Sequence, residues 1–198
     1  MAKAGFRLGE YLAALPEGLD SYPECQTKGS LFRSALAGHD VNELKGLPEV
    51  LHNHIHDPPP AGLWIPAVHV IATVHAICDR YYPSEQEVLE WGMRRTSTVA
   101  AHTFYRPLLR VSGPRVFFSM TARVNRLFQR GTSFDMEVNE RGRSVARLSF
   151  PPYLHTRLSL LGTISLCNRV VELTGGTPLG TEMAELGPTF ALFDCRWK

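Results

Sequence analysis

The sequence lacks most of the marks that identify membrane proteins and common enzyme classes. No run of about eighteen apolar residues occurs, so no transmembrane helix is expected. The start, Met1-Ala2-Lys3-Ala4-Gly5-Phe6-Arg7, has no continuous apolar stretch of the signal-peptide kind. The four cysteines, Cys25, Cys78, Cys167 and Cys195, form no Cys-x-x-Cys pair. That excludes a zinc ribbon and a thioredoxin-type motif. Cys167 and Cys195 lie in apolar segments and read as buried thiols, and a reducing cytoplasm is the simplest expectation. Charge is nearly balanced, with 21 Lys+Arg, 19 Asp+Glu and a formal net charge of +2. This is too little to draw the chain to nucleic acid or to a membrane surface. Leu173-Thr174-Gly175-Gly176-Thr177-Pro178 lacks the lysine of a phosphate loop and reads as a helix end. No Gly-x-Ser-x-Gly elbow occurs either.

What is present is ordinary globular material. The 198 residues are 44% hydrophobic and 20% charged, enough for one well-cored domain and short for two. Arginines gather before and within one segment (Arg106, Arg110, Arg115, Arg123, Arg126 and Arg130, then Arg141, Arg143 and Arg147). They read as a solvated face.

The clearest pattern lies at the end of the chain. Ser133 to Asn139 alternates, with Phe134, Met136 and Val138 on one face. Glu140 to Arg143 reads as a turn, and Ser144 to Phe150 as a second strand that faces Glu137 with Arg147. Leu154 to Leu173 is a helix apolar on nearly every side, which predicts burial between layers. Gly162 inside it predicts close approach of another backbone or of a ligand. Thr181 to Leu186 and Thr189 to Trp197 form a closing hairpin, the last strand apolar on both faces and so covered on both. The expected fold is α+β, with N-terminal helices packed on an antiparallel sheet in a hairpin-helix-hairpin arrangement. Residues 1–131 form a mainly helical portion and 132–198 the sheet portion of a single domain.

Upstream, residues 1–24 read as weakly structured, with one or two helical turns over Gly9 to Leu15 and a loop from Pro16 to Pro23. Helices are expected from about Thr27 to Ala37, briefly after Asp40, over Glu49 to Ile55, and from Pro66 to Tyr82. Ser84 and Glu87 form a capping box that opens a further helix, with Gly92 as a kink and Thr96 to Phe104 as its continuation. Pro107 marks a boundary. Val111 to Met120 is ambiguous between strand and helix, and Ala122 to Phe128 is helical.

Few side chains carry candidate chemistry. In His52-Asn53-His54-Ile55-His56-Asp57, an extended backbone projects His52, His54 and His56 to one side for a metal, and a helix leaves His52 and His56 on one face. The neighbouring prolines favour a solvated cluster. His69, His75, Cys78 and Asp79 share one helix, where a metal or nucleophile role competes with ordinary packing. A pocket between the 154–173 helix, the sheet and the N-terminal helices would be lined by Leu160, Gly162, Ile164 and Cys167. An apolar small molecule is the ligand expected there.

Tyr22-Pro23-Glu24-Cys25-Gln26-Thr27-Lys28-Gly29-Ser30-Leu31-Phe32, Leu161-Gly162-Thr163 and Phe190 to Trp197, with their spacing, resemble a family of myxobacterial paralogues of similar length. The hairpin, glycine-bearing helix and closing hairpin also resemble a ligand-binding superfamily. It includes 4-vinyl-reductase-like domains, haem–nitric oxide binding domains and transport-particle subunits. The resemblance implies a domain that holds small apolar ligands or lipids, or a dimeric scaffold. The cysteine cluster of the vinyl-reductase type is absent. So is the Tyr-x-Ser-x-Arg haem signature, which leaves His102 without support as a haem ligand. Three readings follow: a non-enzymatic small-molecule-binding or sensory domain, a homodimeric or protein-interaction scaffold, and a metal-dependent enzyme built on the 52–57 histidines.

Overall fold

Strand periodicity and helix caps account for most of the architecture. The computed structural model describes residues 6–101 and 113–198. The hairpin, helix, hairpin unit forms as β4 (Ser133–Glu140), β5 (Arg143–Ser149), a long helix α8 (Arg157–Leu173), β6 (Pro178–Leu186) and β7 (Phe190–Trp197). These strands make one antiparallel sheet in the order β4-β5-β7-β6. Gly142, at φ 82°, turns the first hairpin, a left-handed geometry that glycine adopts without steric cost. Alternation sends Phe134, Ala146, Leu148, Ala191 and Phe193 into the core.

The outer face of the sheet corrects one expectation. Among the described residues, arginine stems rather than a second packed layer close the outer face of β7. Arg147 lies over the Phe190 ring at 4.3 Å and also pairs with Glu137. Arg143 and Arg196 both hold Asp194, at 3.0 and 2.8 Å. Their guanidinium groups hold its carboxyl below the usual carboxylate range. The Arg147–Glu137 pair is open to solvent and contributes only about 0–1 kcal/mol.

Helix α8 starts at Arg157 rather than at Leu154. Thr156 is its N-cap, and Thr156 and Ser159 bond each other's backbone N–H groups reciprocally. This is a capping box with serine at the third helical position instead of the usual Glu or Gln, so the boundary was hidden in the sequence. Along α8, Leu160, Leu161 and Ile164 join the main core. Cys167 and Val171 join a smaller cluster with Phe118, Cys195 and Trp197.

The N-terminal portion is more ordered than its sequence implied. α1 (Phe6–Ala14) packs on α4 (Ala67–Tyr81). Leu8, Tyr11 and Leu15, at helical spacing, are buried. The Tyr11 hydroxyl donates to the Leu154 carbonyl at 3.0 Å, and its ring stacks on His75 with centroids 4.8 Å apart. These partners are distant in sequence, so nothing local announced them. A small sheet was also missed. β1 (Gln26–Lys28), β2 (Trp64–Pro66) and β3 (Gln129–Arg130) pair antiparallel in the order β2-β1-β3. Strands of two or three residues leave no periodic trace. They push the helix read from Thr27 back to α2 (Gly29–Leu36), and the one read from Pro66 back to Ala67. Gly29 is required there, because a Cβ would sit 2.4 Å from the Pro60 carbonyl oxygen.

The remaining helices follow their caps. Asp40 accepts from the Asn42 N–H at a 3-10 turn, Val41–Glu43, and α3 spans Glu49–His56. In α5 (Glu85–Ala101), the Ser84 N–H donates to Glu87 at 3.0 Å and the Glu87 N–H to the Ser84 hydroxyl at 3.3 Å. α5 runs through Gly92 without interruption. The ambiguous segment resolves as a short helix α6 (Pro114–Ser119), with Gly113 at φ 89° ahead of Pro114, followed by α7 (Thr121–Phe128). The expected continuation to Phe104, the Pro107 boundary and His102 lie in part or wholly outside the described residues.

The main core runs from Leu8 to Phe193 and draws on both portions of the chain. Among the described residues, no helix is long and apolar enough to cross a membrane.

Candidate ligand cavity

Two helices set the geometry of the candidate site. α5 and α8 pack on each other more extensively than any other helix pair described. They pack tightly at Gly92. A Cβ there would lie 2.6 Å from the Ser165 hydroxyl oxygen and 3.6 Å from the Gly162 Cα. Ser165 is itself fixed, its hydroxyl lying 2.8 Å from the Leu89 carbonyl and 3.2 Å from that of Leu161. Gly92 is thus the glycine that admits another backbone. At Gly162 a Cβ would meet nothing within 4 Å, so that glycine faces open space.

The open space is a cavity of about 300 Å³. α5 presents Val88, Trp91, Gly92, Arg95 and Thr96 to it, a helical stripe interrupted by one cation. α8 presents Leu158, Gly162, Leu166 and Val170, and α7 presents Val124, Asn125 and Phe128. The floor is Val70, Ile71 and Val74 of α4, with Phe134 and Leu148 of the sheet. α7 is amphipathic, yet none of its residues is fully buried. Its apolar face looks into the cavity.

Three polar groups punctuate this wall. The Arg95 guanidinium lies over Trp91, 5.5 Å from the ring centroid, and its Nε donates to Ser34 at 3.2 Å. Burial pulls its pKa down to about 10, so it is a cation at neutral pH. No aspartate or glutamate is among the described wall residues. Asn125 has a buried side-chain nitrogen without a hydrogen-bond partner. His155 packs edge-on against Phe150, and its Nδ1 lies 3.3 Å from the Ser159 hydroxyl. Burial lowers its pKa to about 4, so it is neutral at pH 7.

Of the four residues expected around the pocket, the structure places Gly162 in the wall. Leu160, Ile164 and Cys167 point to packed core instead. The cavity-facing side of α8 is a neighbouring stripe, centred on Leu158, Gly162 and Leu166. The sequence could not separate these stripes, because both are apolar.

The histidine cluster does not converge. α3 is helical, so the extended arrangement of His52, His54 and His56 does not form. His52 and His56 meet on one face, their rings tilted at 38° with centroids 4.3 Å apart. His54 turns to the other and meets His69, Nδ1 to Nδ1, at 3.3 Å. Among the described residues, no group of three or more His, Cys, Asp or Glu side chains is arranged to hold a metal. His75 and Cys78 are core residues. His75 lies 2.9 Å from the Thr156 hydroxyl, and burial pushes the Cys78 thiol up to about 12, far from a nucleophilic thiolate. Asp79 accepts from the Leu8 N–H at 3.1 Å.

Arg95, Asn125 and His155 escaped the sequence reading. Arg95 left one usable signal: a charge at the fourth residue after Trp91, within the apolar stripe Val88–Trp91. Asn125 and His155 left none.

No protein-family model matches the sequence, and neither does any curated protein. Solved structures do match the fold. The Fe(II) unliganded H-NOX protein from K. algicida is 13% identical, with a TM-score of 0.58 over 86% of this chain and 96% of that one. An oxygen-binding H-NOX domain related to soluble guanylate cyclases, in its oxygen complex, is 10% identical, with a TM-score of 0.59 over 86% and 91%. A mutant H-NOX domain from T. tengcongensis is 8% identical, with a TM-score of 0.61 over 86% and 94%. These structures support the haem–nitric oxide branch of the resemblance. They lend nothing to the paralogue family or to the other two branches. At this level of identity the likeness is one of architecture, and the chain has the α+β fold of the H-NOX domains.

Proposed function

We propose that residues 1–198 act as one non-enzymatic, small-molecule-binding sensory domain, with the ligand held in the cavity between α5, α7 and α8. One observation carries the reading. The apolar face of α7 meets space where a core helix meets side chains, and a ligand would complete its burial. The H-NOX neighbours support a sensory role by their fold.

The neighbours imply a haem, and the described residues do not fit one. A volume of about 300 Å³ is at the lower limit for drug-sized ligands, about 300–1,000 Å³. A porphyrin with two propionates is larger than that. His155 is the one histidine among the described wall residues, and its ring is wedged between Phe150 and Ser159. Haemin added to the protein should therefore keep the absorption spectrum of free haemin. A shifted Soret band would overturn the volume argument.

Gly162→Leu tests the site itself. The new side chain enters open space, and leucine favours a helix over glycine by roughly 1 kcal/mol. Thermal stability should hold or rise, while affinity for a neutral apolar probe, octanol, falls at least tenfold by calorimetric titration. Unchanged octanol affinity in a folded variant would place the site elsewhere.

A further inference from the structure

We propose that the ligand of this cavity is an amphipathic organic carboxylate whose head group is received by Arg95 and Asn125 while its apolar body lies along α7 and α8. The inference rests on the cavity reading above and adds to it the charge and size of the ligand.

Charge comes first. Arg95 is half-buried, shared between this cavity and a second hollow that Ser34 lines, and its described partners are neutral: a serine hydroxyl and an indole face. A partly buried cation without a counter-charge is costly, and a carboxylate relieves that cost with charge-assisted hydrogen bonds. The guanidinium fork suits a carboxylate, because it offers two parallel N–H donors. No acidic residue among the described wall competes for that place. The one other full cation among the described wall residues, Arg130, is engaged at 4.0 Å with the face of Trp64.

The second observation is independent of Arg95. Asn125 is on α7, and its side-chain nitrogen is buried without an acceptor. Buried polar groups are nearly always satisfied, so an orphan in a cavity wall points to a missing partner. An amide donor and a guanidinium together ask for an acceptor with more than one lone pair. The neutral His155 adds no charge that would change the sign of the site.

Size follows from volume. A cavity of about 300 Å³ is at the small end of the range for organic ligands, about 300–1,000 Å³, and suits a compact amphiphile. A medium-chain acid such as octanoate meets both requirements. The remaining wall is aliphatic and aromatic, as an alkyl body requires.

The test compares octanoate with octanol by calorimetric titration of the full chain at pH 7. Octanoate is expected to bind at least tenfold tighter than octanol. Arg95→Met should erase that preference, while Arg95→Lys keeps part of it. Asn125→Leu should weaken octanoate about threefold. Equal binding of the two probes to the unaltered protein, or a preference retained in Arg95→Met, overturns the head-group assignment and leaves the cavity reading standing. Failure of both probes to bind overturns the cavity reading, and this inference with it. The unaltered protein alone decides the charge preference if the methionine variant does not fold.

Discussion

Acidification from pH 7 to pH 4 should cost the fold about 5 kcal/mol, nearly all of it between about pH 6.5 and 4. His75 and His155 carry this expectation. Burial lowers both from 6.5 to about 4. Above that ordinary value each is neutral whether the chain is folded or unfolded, and neither affects stability. Between the two values the unfolded chain binds protons that the folded chain refuses. The unfolded state gains, and stability falls with pH. At about 1.4 kcal/mol per pH unit, each histidine contributes a loss of about 2–3 kcal/mol. Below about pH 4 their effect is constant. His39 and His69, also lowered by burial, act in the same direction. Asp79 opposes them, because burial raises its carboxyl and the folded chain protonates it first. Asp194, held low by Arg143 and Arg196, adds its own loss only below the ordinary carboxylate value of 3.8. Urea midpoints measured from pH 7 to pH 4 should fall steadily once the pH passes below about 6.5. A midpoint that does not move across that range would mean both imidazoles accept protons in place. His75→Gln and His155→Gln should each flatten part of the slope.

The second large effect is expected at Gly92. In an exposed helix Gly→Ala stabilises by up to about 1 kcal/mol. Here the sign reverses. The alanine Cβ would lie 2.6 and 2.8 Å from the Ser165 Oγ and Cβ. The serine cannot swing away without losing its contacts with the Leu89 and Leu161 carbonyls. Overpacking of this kind costs about 1–3 kcal/mol, so the melting temperature should drop by roughly 5 °C for a chain of this length. Ser165→Gly should rescue Gly92→Ala, giving a favourable coupling energy in a double-mutant cycle. If Gly92→Ala is neutral, the two helices are free to separate at their crossing, and the cavity beside it has no fixed wall.

The sheet half was legible because period-two alternation and a long apolar helical run are strong, local signals. Phe134 and Leu148 could be assigned to the core from their spacing alone, whereas the last strand, apolar on both faces, did not separate Phe193 from Leu192. The helix that starts at Phe6 was legible only as a turn or two over Gly9 to Leu15, because its full warrant is Tyr11 meeting Leu154 and His75 across the chain. β1, β2 and β3 were too short to carry a pattern. The candidate cavity was half legible. Gly162 marked its helix, but several apolar stripes on one helix cannot be ranked without knowing which neighbour each one meets. Arg95 was readable in principle as a charge inside an apolar stripe. Asn125 was not, since an unpaired amide is a property of its surroundings and not of its residue type.

The irregularities of the sheet have a consequence for behaviour at high concentration. β5 and β7, the inner strands, pair without a break from Arg143–Arg196 to Ser149–Phe190. Both outer strands are broken. β4 shifts register between Met136 and Val138, and β6 shifts twice, at Pro178–Gly180 and at Met183–Glu185. Gly180, at φ 133°, twists the outermost strand further, and Glu182 and Glu185 place charge along it. An unpaired strand edge is a template on which a second chain can add. These bulges deny it a straight run of free N–H and C=O groups, so the open sheet resists growing into fibres from either side.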